Sequence, residues 1–221
     1  MNHARLVGIA IGLLIIASPE AGEKKGKIRD GVFKSPLGDF AVRVPQLAFG
    51  TRVDQRFHEH GGSLAFYSDI GEVYMIQSQE AAPSIAAVVG DPERETAALR
   101  RYLDEYYLPE MLRKAAPRTE IIHGERVTLG SRSAYFAVAS MPEGSVAQGA
   151  SVVQGVLTAK PMDDTRGLLV LIQGKYIYVL SVGGGGDALG APKTPPPIEE
   201  TTSTLRKRVD GFYAKVEFTK P

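Results

Sequence analysis

The sequence predicts an α+β fold, an antiparallel β-sheet flanked by helices in an α/β/α sandwich. Three observations predict it. Strand-rich runs alternate with helical segments, which places helices on the faces of a sheet. Two strands, 168–171 and 177–180, are almost unbroken apolar runs, as central strands covered on both faces should be. Each half of the chain also closes with a helix, giving the order meander, helix, longer meander, helix, terminal strand. No period of about 20–50 residues is present, which excludes a solenoid.

The first residues read as an address. Met1-Asn2-His3-Ala4-Arg5 precedes an apolar run over 6–17, and Ser18-Pro19-Glu20-Ala21-Gly22 follows it. A basic start, a short apolar stretch and a small-residue neighbourhood make a secretory signal peptide, assigned to residues 1–21. The run is shorter than the roughly 20 residues of a spanning helix; an uncleaved N-terminal anchor is the alternative. Residues 22–30 read as a polar linker, and 31–219 as a single domain, in keeping with roughly 150 residues per domain.

In that domain, 31–34 and 39–45 flank Ser35-Pro36-Leu37-Gly38 as a hairpin, with Phe40, Val42 and Val44 alternating as in a half-buried strand. Strands at 51–58, 63–68 and 72–77 continue an antiparallel meander, separated by Gly61-Gly62 and Asp69-Ile70-Gly71. Residues 81–90 look like a loop. Asp91-Pro92-Glu93 then starts a helix with a capping carboxylate and Pro at the first position. Leu99, Leu103 and Tyr106 share its apolar face, Pro117 stops it, and Pro109 predicts a kink or break near 107–109. The second half shows strands at 120–123, 127–129, 133–140, 151–159, 167–173 and 176–182, with turns at 163–167 and 173–175. A Gly- and Pro-rich loop over 183–197 leads to a helix at 198–213, striped by Thr202, Leu205, Val209 and Phe212. Val216 and Phe218 mark a closing strand.

At this point a resemblance appears. It is carried by Gly31-Val32-Phe33-Lys34-Ser35-Pro36, Phe40-Ala41-Val42-Arg43-Val44-Pro45 and Leu64-Ala65-Phe66-Tyr67-Ser68-Asp69. Gly174-Lys175-Tyr176-Ile177-Tyr178-Val179-Leu180-Ser181 and the closing 212–218 complete it. In pattern and element order over 31–218 the chain resembles the α/β/α sandwich superfamily of PsbP-type photosystem proteins and DcrB-type envelope proteins. The resemblance implies an accessory, partner-binding or ligand-binding module rather than one shared enzyme activity. It carries no site residue across, because no matching functional motif occurs.

Composition narrows the function. With 26 Lys+Arg against 25 Asp+Glu and a net charge of +1, no global field draws nucleic acid, and none is expected as a partner. The absence of cysteine removes disulfides, a thiolate nucleophile, Cys-based metal sites and a thioester-linked lipid anchor. No Gly-x-Ser-x-Gly elbow and no Ser-x-x-Lys pair is present. Gly183-Gly184-Gly185-Gly186 fits neither a dinucleotide loop nor a P-loop, so no cofactor is expected. The best metal candidate is His58-Glu59-His60, since alternate strand residues share a face and both imidazoles would project together. The competing reading is a polar strand end. Asp163-Asp164 suits a turn and Glu199-Glu200 the positive end of a helix. Tyr102, Tyr106 and Tyr107 either line a groove or pack in the core. Arg206-Lys207-Arg208 is a solvated helix face or a peripheral membrane contact. The expectation is an exported, periplasmic or secreted accessory or binding protein of the bacterial envelope, partnered by an envelope protein or a small ligand. The alternative is a metal-dependent or hydrolytic exported enzyme using His58, His60, Asp69 or His123.

Overall fold

A computed structural model of the protein describes residues 23–48, 50–145, 148–153, 156–184 and 196–219. The signal-peptide reading and most of the loop at 183–197 lie outside the described residues. Strands are β1 (Lys27–Arg29), β2 (Val32–Lys34), β3 (Phe40–Arg43), β4 (Arg52–His58), β5 (Gly61–Tyr67), β6 (Val73–Glu80), β7 (Glu120–Leu129), β8 (Arg132–Met141), β9 (Gln148–Val153), β10 (Val156–Pro161), β11 (Asp164–Gln173), β12 (Tyr176–Gly183) and β13 (Val216–Phe218). Helices are α1 (Pro83–Ala86), α2 (Pro92–Tyr102), α3 (Arg113–Ala115) and α4 (Ile198–Tyr213). Between α2 and α3, Leu103–Leu112 is a continuous π-helical stretch.

The two apolar strands do lie at the centre. Seven strands form one antiparallel sheet in the order β4-β5-β6-β12-β11-β8-β7, with Leu169 opposite Leu180 and Val170 opposite Val179. Because successive strand residues point to opposite faces, this sheet has two cores. On one face Val170, Ile172, Ile177 and Val179 pack against Leu99, Leu103, Tyr107, Leu108 and Leu112 of α2 and the π-helical stretch. On the other, Leu169, Leu171, Tyr178 and Leu180 pack against Leu205, Val209 and Phe212 of α4, together with Phe33, Phe40 and Val42. The α4 helix rides close to the sheet at Gly167, where a Cβ would come within 3.0 Å of both the Leu205 and the Val209 side chains. The α+β sandwich is as the sequence predicts, with one refinement. The second outer layer is mixed: α4 beside a four-stranded sheet, β1-β2-β3-β13.

That small sheet takes the first hairpin out of the meander and joins both ends of the domain, with Val216 opposite Val42 and Phe218 opposite Phe40. It also corrects the linker. Lys27–Arg29 forms a strand, paired to β2 through Asp30-Gly31, whose φ values of 49° and 72° suit a two-residue hairpin turn. Four further elements differ from the sequence reading. Residues 81–90 contain the one-turn helix α1. The runs at 120–123 and 127–129 form one strand, β7, bulged between Ile121 and His123. Residues 151–159 split into the hairpin β9–β10. The expected turn at 163–167 is mostly the start of β11.

The helix holds to its predicted start. Asp91 Oδ1 accepts from the backbone N–H groups of Glu93 and Arg94, both at 3.2 Å, which satisfies two otherwise orphan donors. Pro109 does not break it; the helix continues through it as a π-helical stretch. Pro lacks an N–H and its ring collides with the carbonyl four residues back. Widening to i→i+5 bonding, as in the Arg113 N–H bond to the Leu108 carbonyl, relieves that collision without ending the helix. The widening re-spaces the inward stripe to 99, 103, 107 and 112. Tyr107 is therefore buried and Tyr106 exposed, the reverse of the expected face.

Candidate functional site

Along α2, Arg94, Ala97, Ala98, Arg101, Tyr102 and Glu105 recur at intervals of three and four residues, one stripe of an amphipathic helix. They form one wall of a groove of about 620 Å³. Ile85 and Val88 of the α1 segment make the opposite wall; Gln79 and Glu80 from β6 and Ile177 from β12 make its floor. Two adjacent alanines account for the depression, because a helix needs only small side chains to leave room beside its own backbone. The volume lies in the range of small-molecule sites, roughly 300–1,000 Å³.

The α1 segment is unusual in composition and exposure. Ala82, Ala86, Ala87 and Val89 are exposed, and none of Pro83–Ala86 is buried. A run this apolar normally seeks burial; here it stands beside an apolar groove.

The polar groups at the groove divide into satisfied and free. The Tyr102 hydroxyl donates to Gln79 Oε1 at 3.2 Å, and burial holds its phenol far above the ordinary tyrosine range, so it stays a neutral donor. The Tyr106 ring lies 5.3 Å from that of Tyr102. Glu80 accepts from His60 Nδ1 at 2.8 Å and from Lys175 Nζ at 3.2 Å. The His60 hydrogen bond, then Lys175, holds its carboxyl below the usual range. Glu105 lies 3.8 Å from Arg101. The Arg94 guanidinium has no partner among the described residues.

His60 reaches this rim through Glu80, but His58 and His60 do not form a pair that points one way. His58 ends β4, and Glu59-His60 already belongs to the turn, so the alternation that would align two imidazoles stops after His58. His58 Nδ1 accepts from the His60 backbone N–H at 3.3 Å, while His60 turns to Glu80. Gly61-Gly62 serves close packing: a Cβ at Gly61 would meet the Ser78 carbonyl, and one at Gly62 the Phe57 ring. Asp69 pairs with Arg52 at 2.7 Å. His123 lies on β7, the edge strand opposite β4, beyond five intervening strands and hence about 29 Å away at roughly 4.8 Å per strand spacing. Among the described residues no group of three or more His, Cys, Asp or Glu side chains comes together to hold a metal ion.

The other candidates have structural partners. Asp163 accepts from the Glu143 N–H at 2.9 Å. Asp164 pairs with Arg166 at 2.8 Å, both nearly buried. Glu199 and Glu200 lie in the first turn of α4. Arg206 binds Asp210 at 3.0 Å and Glu125 at 3.1 Å, and Arg208 donates to the Gly183 and Gly184 carbonyls. Two of the three cations in that basic run are thus engaged within the chain. Among the described residues no helix is long and apolar enough to cross a membrane. Of the three tyrosines that the sequence offers for a groove or the core, Tyr102 and Tyr106 line the groove and Tyr107 is in the core; the further signal, an alanine pair between two arginines seven apart beside an unpatterned apolar run, was not read.

No protein-family model matches the chain, and no curated protein matches it. Among solved structures it is similar to a crystal structure from Bacteroides thetaiotaomicron VPI-5482, with 14% identity, a TM-score of 0.40 and a match over 87% of this chain and 50% of that one. The chain thus spans half the length of that protein. It is similar to the solution structure of the cyanobacterial PsbP protein, CyanoP, from Synechocystis sp. PCC 6803, with 7% identity and a TM-score of 0.40 over 85% of this chain and 91% of that one. It is also similar to the crystal structure of the Ran-binding protein Mog1p from Saccharomyces cerevisiae, with 10% identity and a TM-score of 0.40 over 89% and 97%. A PsbP-type protein is therefore among its structural neighbours.

Proposed function

We propose that this protein is an exported, non-enzymatic binding module of the cell envelope, and that the groove between α1 and α2 is its ligand seat. The observation that carries this reading is the groove itself, with an apolar interior, a few polar groups at its rim and a wall made by the half-buried Ile85 and Val88. Such concave, mostly apolar sites with sparse polar anchors are the usual form of ligand pockets. The placement of Asp69 and His123 away from the His58-Glu59-His60 turn supports the non-enzymatic half, because acid–base and nucleophilic chemistry needs such groups within hydrogen-bond reach of one another. Export rests on the N-terminal pattern of residues 1–21.

Native mass spectrometry of the protein recovered from its own cell envelope tests the binding half. The expected spectrum shows a bound small molecule or a defined complex, lost in the groove-filling variant Ala98→Trp at unchanged melting temperature. A wild-type protein recovered bare, or a complex indifferent to Ala98→Trp, removes the groove from the account. Export has its own test. The native chain should begin near residue 22 and fractionate outside the cytoplasm, and a cytoplasmic chain that keeps residues 1–21 defeats it.

A further inference from the structure

We infer that the groove is selective for an amphipathic anion, a monomeric single-chain carboxylate whose chain lies along Ala97 and Ala98 and whose head group meets Arg94. The inference rests on the groove being the ligand seat and adds the chemistry of the ligand. Its interior asks for a chain: Ile85 and Val88 on one wall, Ala97 and Ala98 on the other, and Ile177 beneath. Apolar surface on both sides of a narrow trough rewards an apolar occupant in proportion to the area it covers.

The charge follows from which groups are already used. Four charged side chains line the groove: Arg94, Arg101, Glu80 and Glu105. Glu80 is claimed by His60 and Lys175 from outside the groove. Arg101 and Glu105 stand opposite each other on the helix. Arg94 alone has no counter-charge among the described residues. Its planar fork suits a carboxylate bidentately. It sits seven residues before Arg101, about 10.5 Å along the axis, with the alanine pair between. A head group at Arg94 therefore leaves its chain running over Ala97 and Ala98 toward Tyr102 and Tyr106.

Three ten-carbon probes with different heads test this by calorimetry or by methyl shifts of Ile85 and Val88: decanoate, 1-decanol and decyltrimethylammonium, each below its aggregation limit. Decanoate should bind the tightest. Arg94→Gln should weaken decanoate by roughly two- to fivefold, as expected for a solvent-accessible charge contact, and leave 1-decanol unchanged. Ala98→Trp should abolish binding of both, and Val88→Glu serves in its place if that variant melts early. If 1-decanol or decyltrimethylammonium binds as well as decanoate, or Arg94→Gln changes nothing, the anion selectivity is overturned while the groove stands. If no chain binds the folded protein, the groove reading falls with it. Uptake only onto anionic vesicles, unchanged by Ala98→Trp, would point to a bilayer surface and also overturn the inference.

Discussion

Asp164 and Arg166 show how a polar pair can hold a loop-rich end of the sheet together. Residues i and i+2 of a strand share a face, so the two side chains meet at 2.8 Å with Asp164 almost sealed from water. The other oxygen, Asp164 Oδ1, accepts from the Thr165 and Gly184 N–H groups at 2.9 and 2.8 Å. Arg166 also donates to the Gly144 carbonyl at 3.3 Å. Three chain segments thus depend on one carboxylate. Arg166→Ala should cost about 3–5 kcal/mol, because it leaves a buried charge unpaired; urea unfolding measures it as a lower midpoint at unchanged slope. A cost below about 1 kcal/mol would mean that Asp164 finds water. The helix cap is a smaller case, and Asp91→Ala should cost about 0.5–2 kcal/mol by the same measurement. Asp91 was legible in the sequence because a cap is a local signal. The Asp164–Arg166 pair was not, since Asp163-Asp164-Thr165-Arg166-Gly167 carries the composition of a turn and only its sheet neighbours make it a strand. His58 and His60 were misleading in the same way: their alternation holds only where the strand continues, and β4 stops at His58.

At the scale of elements, what the sequence shows well is anything with its own period. The α4 stripe of Leu205, Val209 and Phe212 is buried as its spacing requires, and β11 and β12 are central because they are apolar throughout. What it hides is a change of period inside one element. Residues 99–112 read as an α-helix with a proline fault, and the π-helical widening moves the inward face from Tyr106 to Tyr107 and on to Leu112. The register makes a test. Tyr107→Ala and Leu112→Ala should each cost about 2–5 kcal/mol, as large-to-small changes in a packed core do. Tyr106→Ala, at the open rim of the groove, should cost less than about 1 kcal/mol. Equal costs at Tyr106 and Tyr107 would restore an ordinary α-helical face. The same rotation leaves Tyr106 exposed at the rim of the groove, its ring 5.3 Å from that of Tyr102. β1 was missed for a different reason. Asp30-Gly31 is a strong hairpin signal, but Lys27-Ile28-Arg29 is exposed and shows no apolar alternation to flank it.

For the molecule as a whole, three phenols, Tyr107 and Tyr178 buried and Tyr102 half-buried at the groove, join its layers and set its response to alkali. Tyr107 ties the π-helical stretch to Gln77 of β6, and Tyr102 ties α2 to Gln79. Tyr178 reaches from β12 to the small sheet, donating to Asp39 Oδ2 at 2.9 Å and packing its ring 4.8 Å from that of Phe218. Burial pushes all three far above the ordinary tyrosine range, and the Asp39 charge adds to the effect at Tyr178. The sign follows from proton counting. Below about pH 10, folded and unfolded chains both keep these protons, and the groups add no pH dependence. Above it the unfolded chain releases them while the folded chain holds them, so stability falls as pH rises. Each such tyrosine contributes a slope of about 1.4 kcal/mol per pH unit, and three together about 4. Urea unfolding between pH 8 and pH 11 should therefore show a plateau and then a steep loss. The rise in phenolate absorbance of these residues should coincide with unfolding rather than precede it. Tyr178→Phe should flatten the alkaline limb by about a third, even though it lowers the plateau by unpairing Asp39. A folded protein that ionises these phenols near pH 10 would show that water reaches both faces of the sheet, and the three-layer packing would have to be redrawn.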